Sequence, residues 1–174
     1  IRRKKGLKIR KIGKNSLRYN PAPSPTENRF SVSEYKVNGE TGLDILDDSG
    51  RMLLSFDVPD SLQIVQTAWL TENDIYASAI SENGYGIYHM DIQEGIWANI
   101  LHPQPVMIKD LRTYGEVLTF VSDRTGVNEL YHLNPTTGDL RQKTSTRHGG
   151  ESFCYSPDGE YLYYTSPTMK GKLL

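Results

Sequence analysis

Cysteine is almost absent from this chain, with Cys154 as the one example among 174 residues. A single thiol excludes a disulfide within the chain and leaves the redox compartment undecided. Because Cys154 lies in a β-rich segment, we expect it to be a buried small apolar side chain rather than a reactive thiol.

Long apolar runs are also missing, and none approaches the roughly 20 residues that a membrane-spanning helix requires. We therefore predict no membrane span. Residues 1–18 are basic but have no apolar stretch behind them, so they do not read as a signal peptide. The chain starts with Ile1 and stops at Leu174 within a repeat described below, and we interpret it as a piece of a longer protein.

The common signatures of catalysis and cofactor binding do not occur. The sequence contains no Gly-x-Ser-x-Gly elbow, no His-Glu-x-x-His or Cys-x-x-Cys zinc motif and no P-loop. The pair Gly84-x-Gly86 lacks the third glycine of a dinucleotide-binding loop. We therefore predict no catalytic, cofactor-binding or metal-binding residue in this chain, and no enzyme activity.

Acidic residues are missing from residues 1–18, which carry nine of the 20 lysines and arginines. The remainder holds 11 basic against 21 acidic residues. A basic segment of this kind can bind nucleic acid or a lipid surface. However, Leu7, Ile9 and Ile12 nearly alternate with basic residues, which is typical of a half-exposed strand. We favour a strand or lead-in for residues 1–18, and the acidic remainder argues against a nucleic-acid partner.

Turn-forming residues are plentiful, with 15 glycines and 9 prolines, and they recur at a regular interval. The clearest turn is Ser156-Pro157-Asp158-Gly159-Glu160, in which proline presets φ, aspartate bonds its own backbone and glycine accepts a positive φ. Related turns begin at Ser24, Leu70 and, more weakly, Arg112, so the turns recur after 46, 42 and 44 residues. This period is typical of a four-stranded propeller blade.

Short β-rich runs separated by Gly-containing turns fill each interval. The run after the first turn is expected at Arg29–Tyr35, Ile75–Ile80, Val117–Ser122 and Tyr161–Ser166. Third runs are expected at Leu43–Leu46, Ile87–Met90, Glu129–Leu133 and Lys172–Leu174, and fourth runs at Arg51–Phe56, Ile96–Ile100 and Asp139–Thr144. A short strand precedes the turn near Val65–Trp69, Val106–Leu111 and Ser152–Tyr155. The pattern predicts an all-β propeller with three complete four-stranded antiparallel blades and a partial fourth.

Several motifs resemble one known family. Ser156-Pro157-Asp158-Gly159-Glu160 with the following Tyr161–Ser166 is similar to the repeat of TolB-type propellers, a WD-repeat-like family of bacterial envelope proteins. The turn Ser122-Asp123-Arg124-Thr125-Gly126 and the strand with Leu130-Tyr131 resemble the next segment of that repeat. The resemblance covers about residues 19–174, the segment that we expect to form the propeller. It implies a binding module of the periplasm or cell envelope.

Two patterns offer a weaker case for a metal. His89 and His132 each follow a tyrosine at equivalent places of a third strand, but equivalent positions on adjacent blades diverge, so repeat inheritance explains them better. Asp47–Gly50 and Asp91–Gly95 resemble calcium loops in composition. They lack the alternating oxygen ligands and the closing glutamate of a known loop, so turn chemistry is the better account.

Two functions of different classes lead; a third, a carbohydrate-binding or glycan-cleaving propeller, would need paired carboxylates near the axis, which the sequence does not assign. The first is a non-catalytic propeller module that binds a protein or peptide partner, with its site near the first strands, which line the channel of a propeller. The second is the gating propeller of a larger, prolyl-oligopeptidase-like serine peptidase. Trp69 and Trp97 could serve packing or ligand contact, and packing is favoured. Open blade edges would also allow the chain to associate with itself.

Overall fold

The computed structural model describes residues 16–59, 61–168 and 171–173, which form fifteen β-strands and no helix. In this part of the chain, no helix is long and apolar enough to cross a membrane. Residues 1–15, which make up most of the basic segment, lie outside it, so the role of that segment stays a prediction. Residues 16–18 form the beginning of the first strand.

The strands form four sheets, which we number as blades 1 to 4. Blade 1 contains β1 (Ser16–Pro23), β2 (Arg29–Lys36), β3 (Thr41–Asp47) and β4 (Met52–Asp57). Blade 2 contains β5 (Gln63–Trp69), β6 (Asp74–Ser81), β7 (Gly84–Asp91) and β8 (Ile96–Gln104). Blade 3 contains β9 (Ile108–Tyr114), β10 (Val117–Ser122), β11 (Glu129–Leu133) and β12 (Leu140–Gln142). Blade 4 contains β13 (Glu151–Tyr155), β14 (Leu162–Thr168) and β15 (Gly171–Leu173).

Every pairing within a blade is antiparallel and joins strands that are consecutive in the sequence. Neighbouring blades meet at their first strands, because β1 contacts β5 and β5 contacts β9. These strands therefore lie nearest the axis around which the blades are arranged, and we call β1, β5, β9 and β13 the inner strands. The predicted fold is confirmed: three blades have four strands and the last has three.

The apolar core lies between blades rather than within them. Leu43 and Ile45 of blade 1 pack on Ile75 and Met90 of blade 2, and all four are fully buried. Equivalent clusters join blades 2 and 3 and blades 3 and 4, the last through Phe153. A sheet buries an apolar face only against another layer, so each blade depends on its neighbour for a core.

Polar contacts fix the position of blade 1 on blade 2. The indole Nε1 of Trp69 donates to the Ala22 carbonyl at 2.9 Å and to Ser31 Oγ at 3.0 Å. Ser31 Oγ also lies 2.9 Å from Thr67 Oγ1, and the Arg29 guanidinium lies 5.3 Å from the centre of the Trp69 ring. Trp69 therefore packs in this contact, and its buried indole NH has hydrogen-bond partners there, as burial demands.

Each inner strand contains a β-bulge, where its register against the second strand shifts. Three of these bulges hold a non-glycine residue at positive φ, namely Asn20 at 50°, Asp110 at 55° and Ser152 at 56°. Asparagine and aspartate tolerate this region better than other residues with a Cβ atom. The bulges bend the inner strands and free backbone groups from the ladder.

The sequence pattern missed the first inner strand and misplaced one turn. β1 was not assigned because Pro21 and Pro23 interrupt its pattern, although an edge strand tolerates proline. The segment from Arg112 to Glu116 was predicted as a turn, but β9 continues to Tyr114 and only Gly115 and Glu116 lie between the paired strands. Gly115, with φ of 58°, suits the first position of such a two-residue hairpin.

The prediction that Cys154 is buried is wrong, because Cys154 is exposed. The bulge before it places Phe153, and not the cysteine, in the cluster between blades 3 and 4. The outward face of blade 1 carries charged side chains. On that face Arg18 Nη2 lies 2.7 Å from Asp44 Oδ2, and the Asp44 side chain is fully buried.

The outward face of blade 4 exposes aromatic side chains, with Tyr161 and Tyr163 having 59% and 50% of their surface accessible. Their rings stack at 6.5 Å. Tyr163 pairs with Cys154 across the sheet, whereas Tyr164 on the opposite face packs toward blade 3. This face can accept another surface, and self-association of the chain through it stays a prediction.

Replacing Gly159 with valine should destabilise the fold by about 3 kcal/mol, because two costs combine. Gly159 has a φ of 75°, and a Cβ atom there would lie 2.1 Å from the hydroxyl of Tyr114. A left-handed residue with a Cβ costs about 1–2 kcal/mol, and displacing a packed ring adds a cost of about 1–3 kcal/mol.

Gly126→Val provides the matched control, because Gly126 has a φ of 92° and nothing lies within 4 Å of its Cβ position. We expect the control to lose only about 1–2 kcal/mol. Urea denaturation of both variants measures the difference. Equal losses would show that the contact with Tyr114 contributes nothing.

Candidate functional site

The two histidines that sequence symmetry made candidate metal ligands have separate partners. His89 Nε2 lies 2.6 Å from Asp74 Oδ1 within blade 2, and its ring packs on Tyr76 at 4.9 Å. Burial, with a smaller contribution from Asp74, raises the pKa of Tyr76 to about 12. His132 Nε2 instead lies 2.6 Å from the hydroxyl of Tyr155 in blade 4. The described residues contain no group of three or more metal-ligating side chains.

The contact of His132 with Tyr155 joins blades 3 and 4, and the pKa values of both residues are shifted there. Tyr155 stacks on Tyr114 of blade 3 with ring centres 4.3 Å apart. Burial, with a smaller effect of Lys143, lowers the pKa of His132. Burial also raises the pKa of Tyr155. The neutral forms of both groups are therefore favoured where blade 4 meets blade 3.

The two calcium-like loops are turns whose carboxylates are already used. Asp47 Oδ1 accepts hydrogen bonds from the backbone NH of Ser49 at 3.0 Å and of Arg51 at 2.9 Å. Asp91 Oδ1 accepts from the NH groups of Gln93 at 2.8 Å and Glu94 at 3.0 Å. The hydroxyl of Ser49 is the largest cause of the lowered pKa of Asp47. Turn formation accounts for both sequences.

The Ser-Asp-Arg-x-Gly motif also has a structural role. Asp123 Oδ1 accepts from the backbone NH of Met107 at 2.7 Å and so fixes the start of the inner strand β9. Arg124 Nη2 donates to Gln104 Oε1 of blade 2 at 2.6 Å, and its guanidinium lies 5.5 Å from the ring centre of Tyr131. The motif therefore ties blade 3 to blade 2.

A cavity of about 550 Å³, which we call the inner cavity, opens where the inner strands of blades 1, 2 and 3 converge. Its wall combines apolar side chains with a nearly equal number of polar ones. The lining residues are Asn20, Pro21, Ala22, Pro23, Ser24, Pro25, Gln66, Thr67, Ala68, Trp69, Leu111, Arg112 and Thr113. A cavity of this size and make-up is typical of a ligand site.

Contacts between blades already occupy several of its polar side chains. The amide of Asn20 donates to the carbonyl of Val65 in blade 2. Gln66 Oε1 accepts from the backbone NH of Leu111 in blade 3 at 3.0 Å. These side chains satisfy backbone groups at the bulges and hold the three inner strands together.

Arg112 and Thr113 differ from these residues, because both side chains remain available. Among the described residues, no carboxylate lies within 4 Å of the Arg112 guanidinium, and the Thr113 hydroxyl has no hydrogen-bond partner. Arg112 is exposed and, among the described residues, is the only charged one that lines the inner cavity. The cavity thus offers a ligand the unpaired cation of Arg112 and the hydroxyl of Thr113, while the buried hydroxyl of Ser24 in the lining also has no hydrogen-bond partner in the part of the chain that the structure describes.

A second inner cavity of about 310 Å³ lies between blades 3 and 4, and Arg112 and Thr113 line it as well. Asp110, Phe153, Cys154 and Tyr155 form part of its wall. The two cavities therefore adjoin at Arg112. A larger cavity of about 700 Å³ lies away from the inner strands, next to the β2–β3 turn and the β4–β5 connection.

The sequence pattern located the region of this site but missed its main residues. The inner strands of blades 2, 3 and 4 were predicted near Val65–Trp69, Val106–Leu111 and Ser152–Tyr155, which places Gln66 and Tyr155 correctly. Arg112 and Thr113 were assigned to a turn. The hairpin signal of Gly115 between Tyr114 and Val117 could have placed them on a strand.

Trp97 packs near blade 1, where its Nε1 donates to the carbonyl of Asp57 at 2.9 Å.

Sequence comparison finds no match for this chain, either among protein-family models or among curated proteins. Solved structures share its fold. A structure assigned as TolB from Agrobacterium tumefaciens is similar with a TM-score of 0.70 and 18% identity, covering 89% of this chain and 56% of that one. TolB from Acinetobacter baumannii gives a TM-score of 0.67 and 17% identity, with coverage of 86% and 38%. The tricorn protease gives a TM-score of 0.65 and 14% identity, covering 94% of this chain and 16% of that one.

These likenesses establish a TolB-like β-propeller fold, because identities this low carry information on fold and not on function. The chain spans 56% and 38% of the two TolB chains. The similar structures include propellers from proteins of different activity, a TolB protein and a protease among them.

The burial of His132 should make the stability of the fold depend on pH. The pKa of His132 is lower in the folded state than the ordinary value of 6.5, so the unfolded chain binds more protons in the interval between the two values. The contribution of neutral, buried His132 to the free energy of unfolding is complete above about pH 6.5 and is lost as the pH falls toward the pKa of the folded state.

We expect the thermal midpoint of the wild-type chain to fall more steeply between pH 7.5 and pH 5.5 than that of His132→Gln. His102→Gln is the control, since His102 is exposed, and it should keep the wild-type slope. The prediction fails if His132→Gln and His102→Gln have the same slope.

Proposed function

We propose that this propeller module binds a peptide segment of a partner protein in the inner cavity. The observation that carries this proposal is the convergence of three inner strands on a partly apolar cavity that retains an unpaired arginine and the unused hydroxyl of Thr113. A largely preformed apolar site with a few polar groups is the usual form of a binding pocket. We place the module in the periplasm or cell envelope, in keeping with its resemblance to envelope propellers.

The shape of the wall supports a peptide as the ligand. Pro21, Pro23 and Pro25 form one side of the cavity and Ala68 and Leu111 contribute to another. Proline and alanine lose almost no side-chain entropy on binding, so they present a rigid apolar surface. Thr113 supplies a hydroxyl that can both donate to and accept from a peptide backbone.

Selection and titration test the proposal. A random dodecapeptide phage library is panned on the immobilised chain, and the consensus peptide is synthesised with a fluorescent label. We expect the peptide to bind the wild-type chain and to bind Thr113→Trp at least about tenfold more weakly, because an indole would occupy the shared rim of the two inner cavities.

Thr136→Trp is the control, since Thr136 is an exposed turn residue between β11 and β12, and its affinity should stay within about twofold of wild type. Thermal unfolding confirms that both variants fold. The proposal fails if no peptide is enriched, or if Thr113→Trp binds as well as Thr136→Trp.

A second candidate is the gating propeller of a larger serine peptidase. Its support is the structural likeness to the tricorn protease and to a puromycin hydrolase, at TM-scores of 0.65 and 0.59. For this candidate we expect the full-length protein to be labelled by a fluorophosphonate probe, while the present chain is not. Further Pro-Asp-Gly repeats in the adjoining sequence, without labelling, would contradict it.

A further inference from the structure

We propose that the inner cavity recognises a carboxylate of its ligand and that Arg112 is the residue that binds it. This inference rests on the proposed function, since it names the chemistry that a bound peptide would carry. A carboxylate forms paired hydrogen bonds with the planar guanidinium of arginine, and such bonds are stronger than bonds between neutral groups.

The charges around the cavity support this choice. Within the described part of the chain, Arg112 is the only charged residue in the lining of the inner cavity. Among the described arginines, Arg18 binds Asp44, Arg29 binds Glu27, and Arg124 donates to Gln104. Arg112 and the exposed Arg147 have no such partner among the described residues, and of these two only Arg112 lines an inner cavity. A ligand carboxylate would supply the partner that the Arg112 guanidinium lacks within the described chain.

Strand pairing and a bulge fix the position of the Arg112 backbone. It pairs with Thr119 across the sheet and directly follows the bulge at Asp110 and Leu111. The bulge is fixed on its other side, because the backbone NH of Leu111 donates to Gln66 of blade 2. A bulge re-aims the side chains beside it, and this one places Arg112 at the rim shared by both inner cavities.

The number of charges separates a peptide from an acidic polysaccharide. A uronic-acid oligomer carries a carboxylate on every sugar and would need a row of cations or a bound metal. The inner cavity offers one arginine, and the described residues contain no metal-binding cluster. Asp110 in the second inner cavity would also repel a further negative charge. A ligand that carries a single carboxylate next to apolar groups therefore matches the charge of the inner cavity.

Fluorescein-labelled hexapeptide libraries test the inference by titration with fluorescence anisotropy. Three matched libraries are compared on the whole chain: one with a fixed Asp or Glu and an amidated end, one with Asn or Gln at the same position, and one neutral library with a free C-terminal carboxylate. We expect a library with a carboxylate to bind the wild-type chain about tenfold more tightly than the neutral amide. The first and third libraries distinguish a side-chain carboxylate from a terminal one.

Arg112→Gln should reduce that preference to less than about twofold, while affinity for the neutral amide library changes little. Lys109→Gln is the matched control, because Lys109 is a cation on the same strand that lines neither inner cavity. The control should keep the full preference. Raising the salt concentration should weaken the preference of the wild-type chain.

The outcomes separate this inference from the proposed function. If the neutral and acidic libraries bind the wild-type chain equally well, peptide binding stands and the role of Arg112 is overturned. The same holds if Arg112→Gln keeps the preference. If no library binds, the proposed function is overturned and this inference falls with it. If trigalacturonate binds more tightly than every peptide and Arg112→Gln abolishes that binding, the ligand class is wrong.

Discussion

A blade of this chain cannot bury its own apolar faces, and the rest of the structure follows from that constraint. Leu43, Ile45, Ile75 and Met90 are fully buried only because blade 1 lies against blade 2. A packed layer needs a second layer, so stability accumulates between neighbours rather than within one sheet. Polar side chains in these contacts must then find partners inside them. Trp69 does so by donating across the contact to Ala22 and Ser31.

The inner strands show how the same constraint produces a site. Adjacent blades approach most closely there, and each inner strand is bulged. Bulges free backbone groups, which here take partners from the next blade: Asn20 binds Val65, and Gln66 binds Leu111. Side chains that already bond to these backbone groups are not available to a ligand. Those that are left over, Arg112 and Thr113, are the ones that give the cavity its chemistry.

Motifs that look functional in the sequence serve the contacts between blades or the turns. Asp123 and Arg124 tie β9 and blade 2 together, and Asp47 and Asp91 close turns. His89 and His132 occupy equivalent strand positions but bind different partners. Asp74 stands beside His89, whereas the equivalent position beside His132 is Val117, and Tyr155 of the next blade supplies the partner instead. Repetition therefore preserves the position of a residue without preserving its role.

The amino-acid sequence by itself determined the all-β class, the repeat of about 44 residues and the second and third strands, of which Val117–Ser122 and Glu129–Leu133 agree to the residue. These features depend on local turn chemistry and on alternation, both of which a linear pattern records. Tertiary structure decided β1, the exposure of Cys154 and the place of Arg112. Pro21 and Pro23 interrupt the alternating pattern of β1, which forms only because β2 pairs with it. The bulge in β13 turns Phe153 rather than Cys154 toward blade 3. The charge of Arg112 is significant only because the inner strands of blades 1 and 2 line the same cavity, and that proximity is a property of the folded chain.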